Sequence, residues 1–309
     1  MSEKVIKVEN LTKEYEDLTA VDDISFEVYR GEVFSLVGPN GAGKTTTVEI
    51  LECIRTPTSG YAEVFGFDVV KERGKIKEKI GVLPQEFNTF DRLSVSENVE
   101  LVSSIYGSEK NLEEILRDLE LWEFRDKKFE ELSGGMKRKV GIAMALSSDP
   151  ELLFLDEPTT GLDPQARRNL WETIKDLKKT EVTVFLTTHY MEEVEELSDR
   201  AAVMLHGKLL STDSVDRLVS EYGGDVKIVV KNEKNAESVL KRHGDEVFVD
   251  DENNVIATFR SRKKAAEAHL KLYEELSEDV DVSVEEPTMD DVFLRVAGGK
   301  IDESGALVK

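Results

Sequence analysis

Nine consecutive residues in the first fifth of the chain have the types and spacing that bind phosphate. They match the pattern G-x-x-x-x-G-K-[ST] and are Gly38, Pro39, Asn40, Gly41, Ala42, Gly43, Lys44, Thr45 and Thr46. Glycines let the backbone bend round a phosphate, and a helix that begins there adds the positive end of its dipole. Lys44 reaches the β- and γ-phosphates, and Thr45 offers a hydroxyl to Mg²⁺. The loop predicts a nucleoside triphosphate with Mg²⁺, but kinases, GTPases and motor ATPases all share it.

A second group of residues predicts the other half of the site. The apolar run Leu152–Leu155 is followed by Asp156 and Glu157. Ligands bind at the ends of strands in α/β sheets, so we expect Asp156 to hold Mg²⁺, directly or through water. Glu157 is then the natural general base for the attacking water. The alternative is a strand that simply ends at a polar turn.

Two further side chains follow apolar strand-like runs. His189 comes after Val182–Leu186 and a threonine pair, and it is predicted to contact the γ-phosphate or the attacking water. Gln85 follows Val82-Leu-Pro84 and is predicted to contact the metal or the water. A structural histidine and a solvated glutamine are the alternatives for these two positions.

Ser133, Gly134 and Gly135 precede a strongly helical, basic run. A serine and two glycines before a helix predict a second anion-binding N-terminus, and the alternative is a helix N-cap with a turn. One nucleotide cannot easily use two such loops within a monomer. A head-to-tail homodimer resolves the difficulty, because each nucleotide then lies between the phosphate loop of one copy and the Ser-Gly-Gly of the other.

The elements that must position these residues alternate between strand and helix. Strand patterns in residues 1–35 and 61–70 predict an antiparallel β subdomain, and apolar runs separated by helical segments predict a parallel sheet. The fold class is therefore an α/β P-loop NTPase sheet with an antiparallel β subdomain and a helical insert over about 87–150. Residues 1–220 form this domain. Residues 221–309 are predicted as a small α+β domain in ferredoxin-like strand-helix-strand-strand-helix-strand order, with a frayed end.

Composition limits the partners. The formal net charge of −23 disfavours nucleic acid, which requires a basic surface. One cysteine and four histidines exclude a disulfide scaffold and a Cys/His metal framework, and they fit a cytoplasmic location. The N-terminus lacks the apolar core of a signal peptide, and no apolar run reaches the ~18 residues of a spanning helix. If the protein works at a membrane, another chain must cross that membrane.

Taken together, these motifs resemble the nucleotide-binding domain of ABC proteins over roughly residues 4–220. The phosphate loop matches the Walker A motif, Gln85 the Q-loop, and Leu132–Met136 the signature sequence. Leu152–Asp156 matches Walker B with Glu157 as the catalytic acid, Gly161-Leu-Asp163 matches the D-loop, and His189 the switch histidine. The resemblance implies ATP stacked on Tyr15, with Asp163 and the signature residues also binding nucleotide. The signature has Met136 where glutamine is commoner, and the D-loop has Gly161 where alanine or serine-alanine is commoner.

The segment Glu286–Leu294 resembles the C-terminal ending of daunorubicin-resistance export ATPases. That resemblance implies an ATPase on the cytoplasmic face of a membrane that exports drug, lipid or polysaccharide cargo through a separate polytopic subunit. The segment from Phe87 to Asn98 is then expected to carry the docking groove, with Phe87, Phe90 and Leu93 as candidate apolar contacts and core packing as the alternative for Leu93. The rivals are a soluble ABC ATPase without a transport role, a P-loop kinase, and a module that clamps ATP without turnover.

Overall fold

The computed structural model describes residues 3–250, 252–276, 280–302 and 304–308. It separates into two compact units. The first contains Met1–Val215 together with Gly299–Lys309, and the second contains Asp216–Gly298. The second unit thus begins five residues before the expected boundary, because the helix over Val215–Tyr222 groups with it.

The strands and helices agree closely with the predicted pattern. In chain order the strands are β1 (Lys4–Tyr15), β2 (Leu18–Tyr29), β3 (Val33–Val37), β4 (Ser59–Val64), β5 (Phe67–Asp68), β6 (Ile80–Leu83), β7 (Leu152–Asp156), β8 (Thr183–Thr188), β9 (Arg200–Leu205), β10 (Lys208–Ser214), β11 (Val226–Val230), β12 (Glu246–Val249), β13 (Val255–Phe259), β14 (Val282–Glu285), β15 (Lys300–Ile301) and β16 (Leu307–Val308). The α-helices are α1 (Lys44–Leu51), α2 (Arg73–Lys77), α3 (Val95–Tyr106), α4 (Leu112–Asp118), α5 (Gly134–Leu146), α6 (Pro164–Leu177), α7 (Met191–Leu197), α8 (Val215–Tyr222), α9 (Ala236–Leu240), α10 (Arg262–Glu275) and α11 (Met289–Ala297).

The first unit is built around a six-stranded sheet in the order β10-β9-β3-β8-β7-β6. The strands from β9 to β6 run parallel, and β10 is an antiparallel edge strand. Every residue of β3, β7 and β8 is buried, as expected when both faces of a parallel sheet are covered. The predicted parallel sheet is confirmed.

The register of this sheet brings four strand ends level with one another. Val37 at the end of β3 pairs with Thr188, and Thr187 pairs with Asp156. Leu83 at the end of β6 pairs with Leu155. The residues that follow these strands therefore emerge along one edge of the sheet, which is where a ligand binds in such folds.

Two smaller layers complete the first unit. The predicted antiparallel subdomain is a sheet in the order β2-β1-β4-β5, which shares a core with α1 and one face of the central sheet. The helical insert packs its apolar residues on the opposite face. Its helix α3 begins with the expected capping box, in which Ser94 Oγ accepts from the Glu97 N–H and Glu97 Oε2 accepts from the Ser94 N–H.

The second unit has the predicted ferredoxin-like topology. Its antiparallel sheet has the order β12-β13-β11-β14, and its core is formed by alternate residues of β11 and β13 against α9 and α10. The expected N-cap at Thr288 is also confirmed, because its side chain accepts from the Asp291 N–H. None of the helices in the described parts of either unit is long and apolar enough to span a bilayer.

The last residues depart from the prediction. They were expected to fray and to belong to the C-terminal domain. Instead β15 and β16 pair as a hairpin that groups with the first unit. The cause is a pair of hydrogen bonds in which Asn40 donates its backbone N–H to Gly305 O at 2.6 Å and its side-chain Nδ2 to Ser304 O at 2.8 Å.

Candidate active site

The phosphate loop joins β3 to α1 along the edge where the strand ends meet. Gly41 and Gly43 have φ angles of +76° and +107°, a region that strongly favours glycine. A Cβ on Gly43 would also lie 2.3 Å from Ala20 O. No side chain caps the N-terminus of α1, so the first N–H groups of this helix face the loop without a side-chain acceptor. Such an end is a site for an anion.

Lys44 lies inside the loop and is almost fully buried. Its Nζ donates to Gly38 O at 2.8 Å and to Pro39 O at 3.1 Å, and it lies 3.1 Å from Glu157 Oε1. Burial lowers the pKa of the Lys44 ammonium, and the charges of Glu157 and Asp156 only partly oppose this change. The Lys44 amine thus stabilises the conformation of the loop and also fixes Glu157 next to it.

Glu157 occupies an unusual backbone conformation at the end of β7. Its φ is +46°, a left-handed conformation that is costly for a non-glycine residue. The Glu157 N–H is held by Thr187, donating to its O at 3.1 Å and to its Oγ1 at 3.0 Å. Strain of this kind persists where the surroundings determine the conformation, and it is typical of functional sites.

The buried Glu157 carboxylate is the centre of a polar cluster. Its Oε2 accepts from Gln85 Nε2 at 3.3 Å and from Thr160 Oγ1 at 3.0 Å, and it lies 3.1 Å from His189 Nδ1. Burial acts to raise the pKa of Glu157, but the hydrogen bond from His189 and the charge of Lys44 outweigh it and hold the pKa at about 2. The carboxylate is therefore ionised throughout the neutral range.

Asp156 has a different environment from its neighbour. It is buried, and its Oδ1 accepts a hydrogen bond from the Thr187 hydroxyl. Burial raises the pKa of Asp156, and the charge of Glu157 acts in the same direction. A buried carboxylate in this position gains from a cation beside it. Asp156 thus fits the predicted role of a Mg²⁺ ligand.

His189 presents an atom that lacks a partner. Its ring is 4% exposed, and among the described residues its Nε2 has no hydrogen-bond partner. Because the ionised Glu157 can only accept, Nδ1 carries a proton. Nε2 is then an acceptor in the neutral ring or a second donor in the charged ring. An unpaired buried nitrogen at this edge suits a ligand that supplies both water and phosphate oxygens.

A cavity of about 490 Å³ opens beside these groups. It is lined by Leu18, Thr19, Ala20, Asn40, Gly41, Gly43, Lys44, Thr45, Thr46, Gln85, Glu157, His206 and Gly207. The loop, the acid and the glutamine predicted from sequence are thus brought together. The residues around Leu18 and His206 were missed, since turns at the ends of strands carry no chemical signature.

Tyr15, predicted to stack on adenine, does not line this cavity. Its ring lies against two cations instead, with Lys13 Nζ 4.9 Å and Arg55 Cζ 5.6 Å from the ring centroid. Leu18, which is 63% exposed at the cavity mouth, is the apolar surface that the structure offers there. Stacking of adenine on Tyr15 stays a prediction.

The signature and D-loop residues also lie outside the cavity. Ser133 and Gly134 are exposed, and Ser133 Oγ caps α5 by accepting from the Met136 N–H at 3.4 Å. Asp163 caps α6, and its Oδ1 accepts from the Gln165 and Ala166 N–H groups at 3.0 Å each. Within one chain both motifs therefore act as helix caps, and their contact with nucleotide stays a prediction.

These features fit a magnesium-bound nucleoside triphosphate. The uncapped helix end and Lys44 suit phosphate, and Asp156 with the Thr45 hydroxyl suits the cation. No cluster of three or more His, Cys, Asp or Glu side chains that would hold a metal by itself occurs among the described residues. Phosphate oxygens and water would complete the coordination, as is usual for Mg²⁺.

Comparison with known families agrees with this geometry. The protein-family model described as "ABC transporter" matches residues 21–160. A second model, described as an AAA domain and putative AbiEii toxin, matches residues 128–195, which extend from before the signature to beyond the switch histidine.

Two curated relatives match along nearly their whole length. The daunorubicin resistance ATP-binding protein DrrA3 of Streptomyces coeruleorubidus is 36% identical and covers 96% of this chain and 97% of its own. The linearmycin resistance ATP-binding protein LnrL of Bacillus subtilis is 36% identical, with coverage of 95% and 98%.

Among solved structures, the ATP-binding cassette MJ0796, in a dimeric post-hydrolysis state with ADP and Pi, has a TM-score of 0.60. It is 29% identical and corresponds to 68% of this chain and 98% of its own.

Proposed function

This chain belongs to the ABC transporter family of ATP-binding subunits, and from that premise we propose that it drives an exporter of drug, lipid or polysaccharide cargo. As in that family, it binds ATP with Mg²⁺ and hydrolyses it. The observation that carries the proposal is the convergence of Lys44, Gln85, Glu157 and His189 at one edge of the sheet. It occurs in a chain of which 96% matches a daunorubicin resistance ATP-binding protein.

The residues around Glu157 have separate roles in hydrolysis. Lys44 and the N–H groups of the loop bind the phosphates, which draws the ammonium away from Glu157. Without this ion pair the pKa of Glu157 rises, so the carboxylate becomes more basic. It can then orient and deprotonate the attacking water. His189 Nε2 then contacts the γ-phosphate or the water. Bound Mg²⁺ supplies charge that offsets the phosphate oxygens.

A second copy of the chain is part of the proposal. The exposed Ser133 and Gly134 do not reach the cavity of their own chain. In a two-fold dimer they complete the site of the other copy, which gives the exposed helix N-terminus an anion to bind. The relative with ADP and Pi is itself described as dimeric, which supports this arrangement.

The helical insert offers a surface for a membrane subunit. Phe90 is 60% exposed, and Leu101 and Ile105 are exposed four residues apart on α3. Of the other apolar contacts predicted for docking, Phe87 instead packs on Phe129, with ring centroids 5.8 Å apart, and Leu93 is half-buried. We therefore place the docking surface on Phe90 and the exposed face of α3.

This surface is connected to the site. Arg138 of α5 donates to Pro84 O at 3.1 Å and to Gln85 O at 2.7 Å. These bonds give the insert a direct contact with the backbone of Gln85, whose amide contacts Glu157, and we propose that movement of the insert reaches the site through them. The chain would act on the cytoplasmic face, where ATP is available.

The test is a pull-down from detergent-solubilised membranes with ATP, using tagged Glu157→Gln chain expressed beside its native genomic neighbours. A polytopic membrane protein in the eluate is expected. The membrane protein should be absent from the eluate of a double variant with Phe90→Asp and Ile105→Asp. It should still be present with a control variant that carries two aspartates on the exposed face of α10, and this difference would map the docking surface. A purely soluble eluate, or ribosomes, would favour the soluble ABC ATPase without a transport role.

A further inference from the structure

A buried carboxylate outside the predicted site lies behind His189. Glu193 is in the first turn of α7, four residues after His189, and its side chain is 0% exposed. Its Oε1 accepts from Trp171 Nε1 on α6 at 2.9 Å. Its Oε2 has no hydrogen-bond partner in the described part of the chain. A buried carboxylate with one unused oxygen costs free energy and requires a reason.

A hydroxyl without a partner lies next to this carboxylate. Thr159 follows Glu157 by two residues, is 0% exposed, and has an Oγ1 that lacks a partner among the described residues. Burial raises the pKa of the Glu193 carboxyl, whereas hydrogen-bonding side chains of Thr188, Trp171 and Thr159 and the charge of Arg167 oppose that rise. The Thr159 hydroxyl and the second Glu193 oxygen are therefore neighbours, but neither atom makes a well-aligned hydrogen bond among the described residues.

The position of Glu193 connects the segments that carry the reacting groups. Thr159 belongs to the loop that runs from Glu157 to Asp163, and Trp171 belongs to the helix that follows this loop. Glu193 itself follows the histidine. On the outer side, the Arg167 guanidinium of α6 lies 4.2 Å from the Tyr190 ring, whose centroid is 4.1 Å from that of His189. Helix α6 is thus joined to the segment that carries the histidine by the buried Trp171–Glu193 hydrogen bond and by the stacking of Arg167 on Tyr190.

We infer that Glu193 is a positioning residue for hydrolysis, whose free oxygen accepts a hydrogen bond from the Thr159 hydroxyl when the ATP-bound dimer closes. The bond fixes the loop after Glu157 to the helix after His189, so that base and histidine reach the γ-phosphate together. The inference rests on the proposed closure of the dimer. It concerns kcat rather than nucleotide affinity, because Glu193 does not line the cavity.

The first test is a double-mutant cycle with Glu193→Gln and Thr159→Val. Glutamine has one acceptor oxygen, so it cannot serve Trp171 and Thr159 at opposite sides. Each variant is expected to lower kcat by up to about tenfold, as for one lost hydrogen bond, with KM for ATP within about twofold. The double variant should be no slower than either single one. Thr173→Val, a buried threonine of α6 that bonds Asn169 O, is the matched control.

A fluorescence measurement separates positioning from a merely structural role. The chain has two tryptophans, so Trp122→Phe leaves Trp171 as a reporter beside Glu193. Emission from Trp171 should change on adding ATP with Mg²⁺, and Thr159→Val should abolish that change. Additive losses in kcat, or an unaltered emission response in Thr159→Val, would overturn the inference. A wild-type chain that binds no ATP or does not hydrolyse it would instead count against the proposed function.

An independent observation concerns the C-terminal hairpin, β15 with β16. Two of its residues contact the phosphate loop, where Ser304 O and Gly305 O accept from the side chain and backbone of Asn40. Gly305 has a φ of +79°, and a Cβ there would lie 2.5 Å from Asn40 Nδ2. The positive φ favours glycine at this position, and a side chain there would displace the Asn40 amide from its contact.

This contact covers a surface that the proposed dimer requires. In the head-to-tail arrangement the phosphate loop of one copy faces the signature sequence of the other. We propose that the hairpin competes in cis with the second copy and so raises the ATP concentration needed for closure. This second proposal also rests on the dimer.

The test compares the full chain with a chain that ends at Gly298, both carrying Glu157→Gln. Light scattering with increasing ATP should show the shortened chain dimerising at an ATP concentration several-fold lower. Gly305→Val should behave like the shortened chain, whereas Ala306→Val, an exposed neighbour in the same hairpin, should not. Equal midpoints would overturn the proposal, and a shortened chain that stays monomeric at saturating ATP would contradict the dimer itself.

Discussion

Replacing Glu157 with glutamine keeps the shape of the buried cluster and removes its charge. The carboxylate accepts from Gln85, Thr160 and His189 and pairs with Lys44, and an amide retains at most part of this set. If Glu157 is the base, kcat should fall about 10²–10⁴-fold, which corresponds to roughly 3–5 kcal/mol of barrier. ATP binding should persist, since the loop and Lys44 remain.

The same substitution has a separate effect on folding. The folded-state pKa of Glu157 is about 2, against an ordinary value of 4.5. A carboxyl group whose pKa is lower in the folded state than in the unfolded chain stabilises the fold at pH values above the unfolded pKa, here by about 3 kcal/mol. This stabilisation is lost as the pH falls towards 2. Glu157→Gln should therefore unfold more easily than the wild type at pH 7, and the difference should shrink on acidification below about 4.5.

Three measurements examine this reasoning together: phosphate release, equilibrium binding of a fluorescent ATP analogue, and denaturant unfolding without nucleotide. Glu151→Gln is the matched control, because this half-buried glutamate lies at the opposite end of β7 and pairs with Lys79 and Arg30. It should hydrolyse ATP at nearly the wild-type rate. Turnover by Glu157→Gln within threefold of the wild type would refute the assignment of the base.

Three further predictions concern single side chains. Glu52 is buried at the end of α1, where burial and the charge of Asp156 raise its pKa to about 8. The folded state therefore keeps this carboxyl protonated while the unfolded chain loses the proton, so the free energy of unfolding falls as the pH rises from 4.5 to 8. Glu52→Gln should raise the unfolding temperature at pH 8 and have little effect at pH 4.5, measured by calorimetry. His189→Ala should lower kcat by about 10²-fold with little change in KM for ATP in steady-state assays, and an unchanged kcat would mean that the histidine is structural. Ser94→Ala removes the cap of α3 and should cost about 1 kcal/mol in urea unfolding, whereas Ser104→Ala on the exposed side of the same helix should cost almost nothing.

The local elements followed from the sequence because their signals lie within short windows. The apolar runs before Gly38, Asp156 and Thr187 could only be buried strands, and the phosphate loop carried its own chemistry in consecutive residues. The ferredoxin-like order of the second unit was equally legible, because strand and helix periodicities alternate between Val226 and Ala297. Strand register then had to bring the predicted acid, histidine and glutamine to one edge, since parallel strands end on the same side.

Contacts between distant segments were decided only by the tertiary structure. The ion pair of Lys44 with Glu157, which together with the His189 hydrogen bond lowers the pKa of the acid, depends on how β3 and β7 align across β8. No periodicity marks Glu193 as buried beside Thr159, because a glutamate in the first turn of a helix ordinarily faces water. The hairpin on Asn40 likewise depends on a chain reversal some 260 residues after the loop. Residue types record which chemistry is possible, whereas packing over long sequence separations determines which groups meet and which protons they hold.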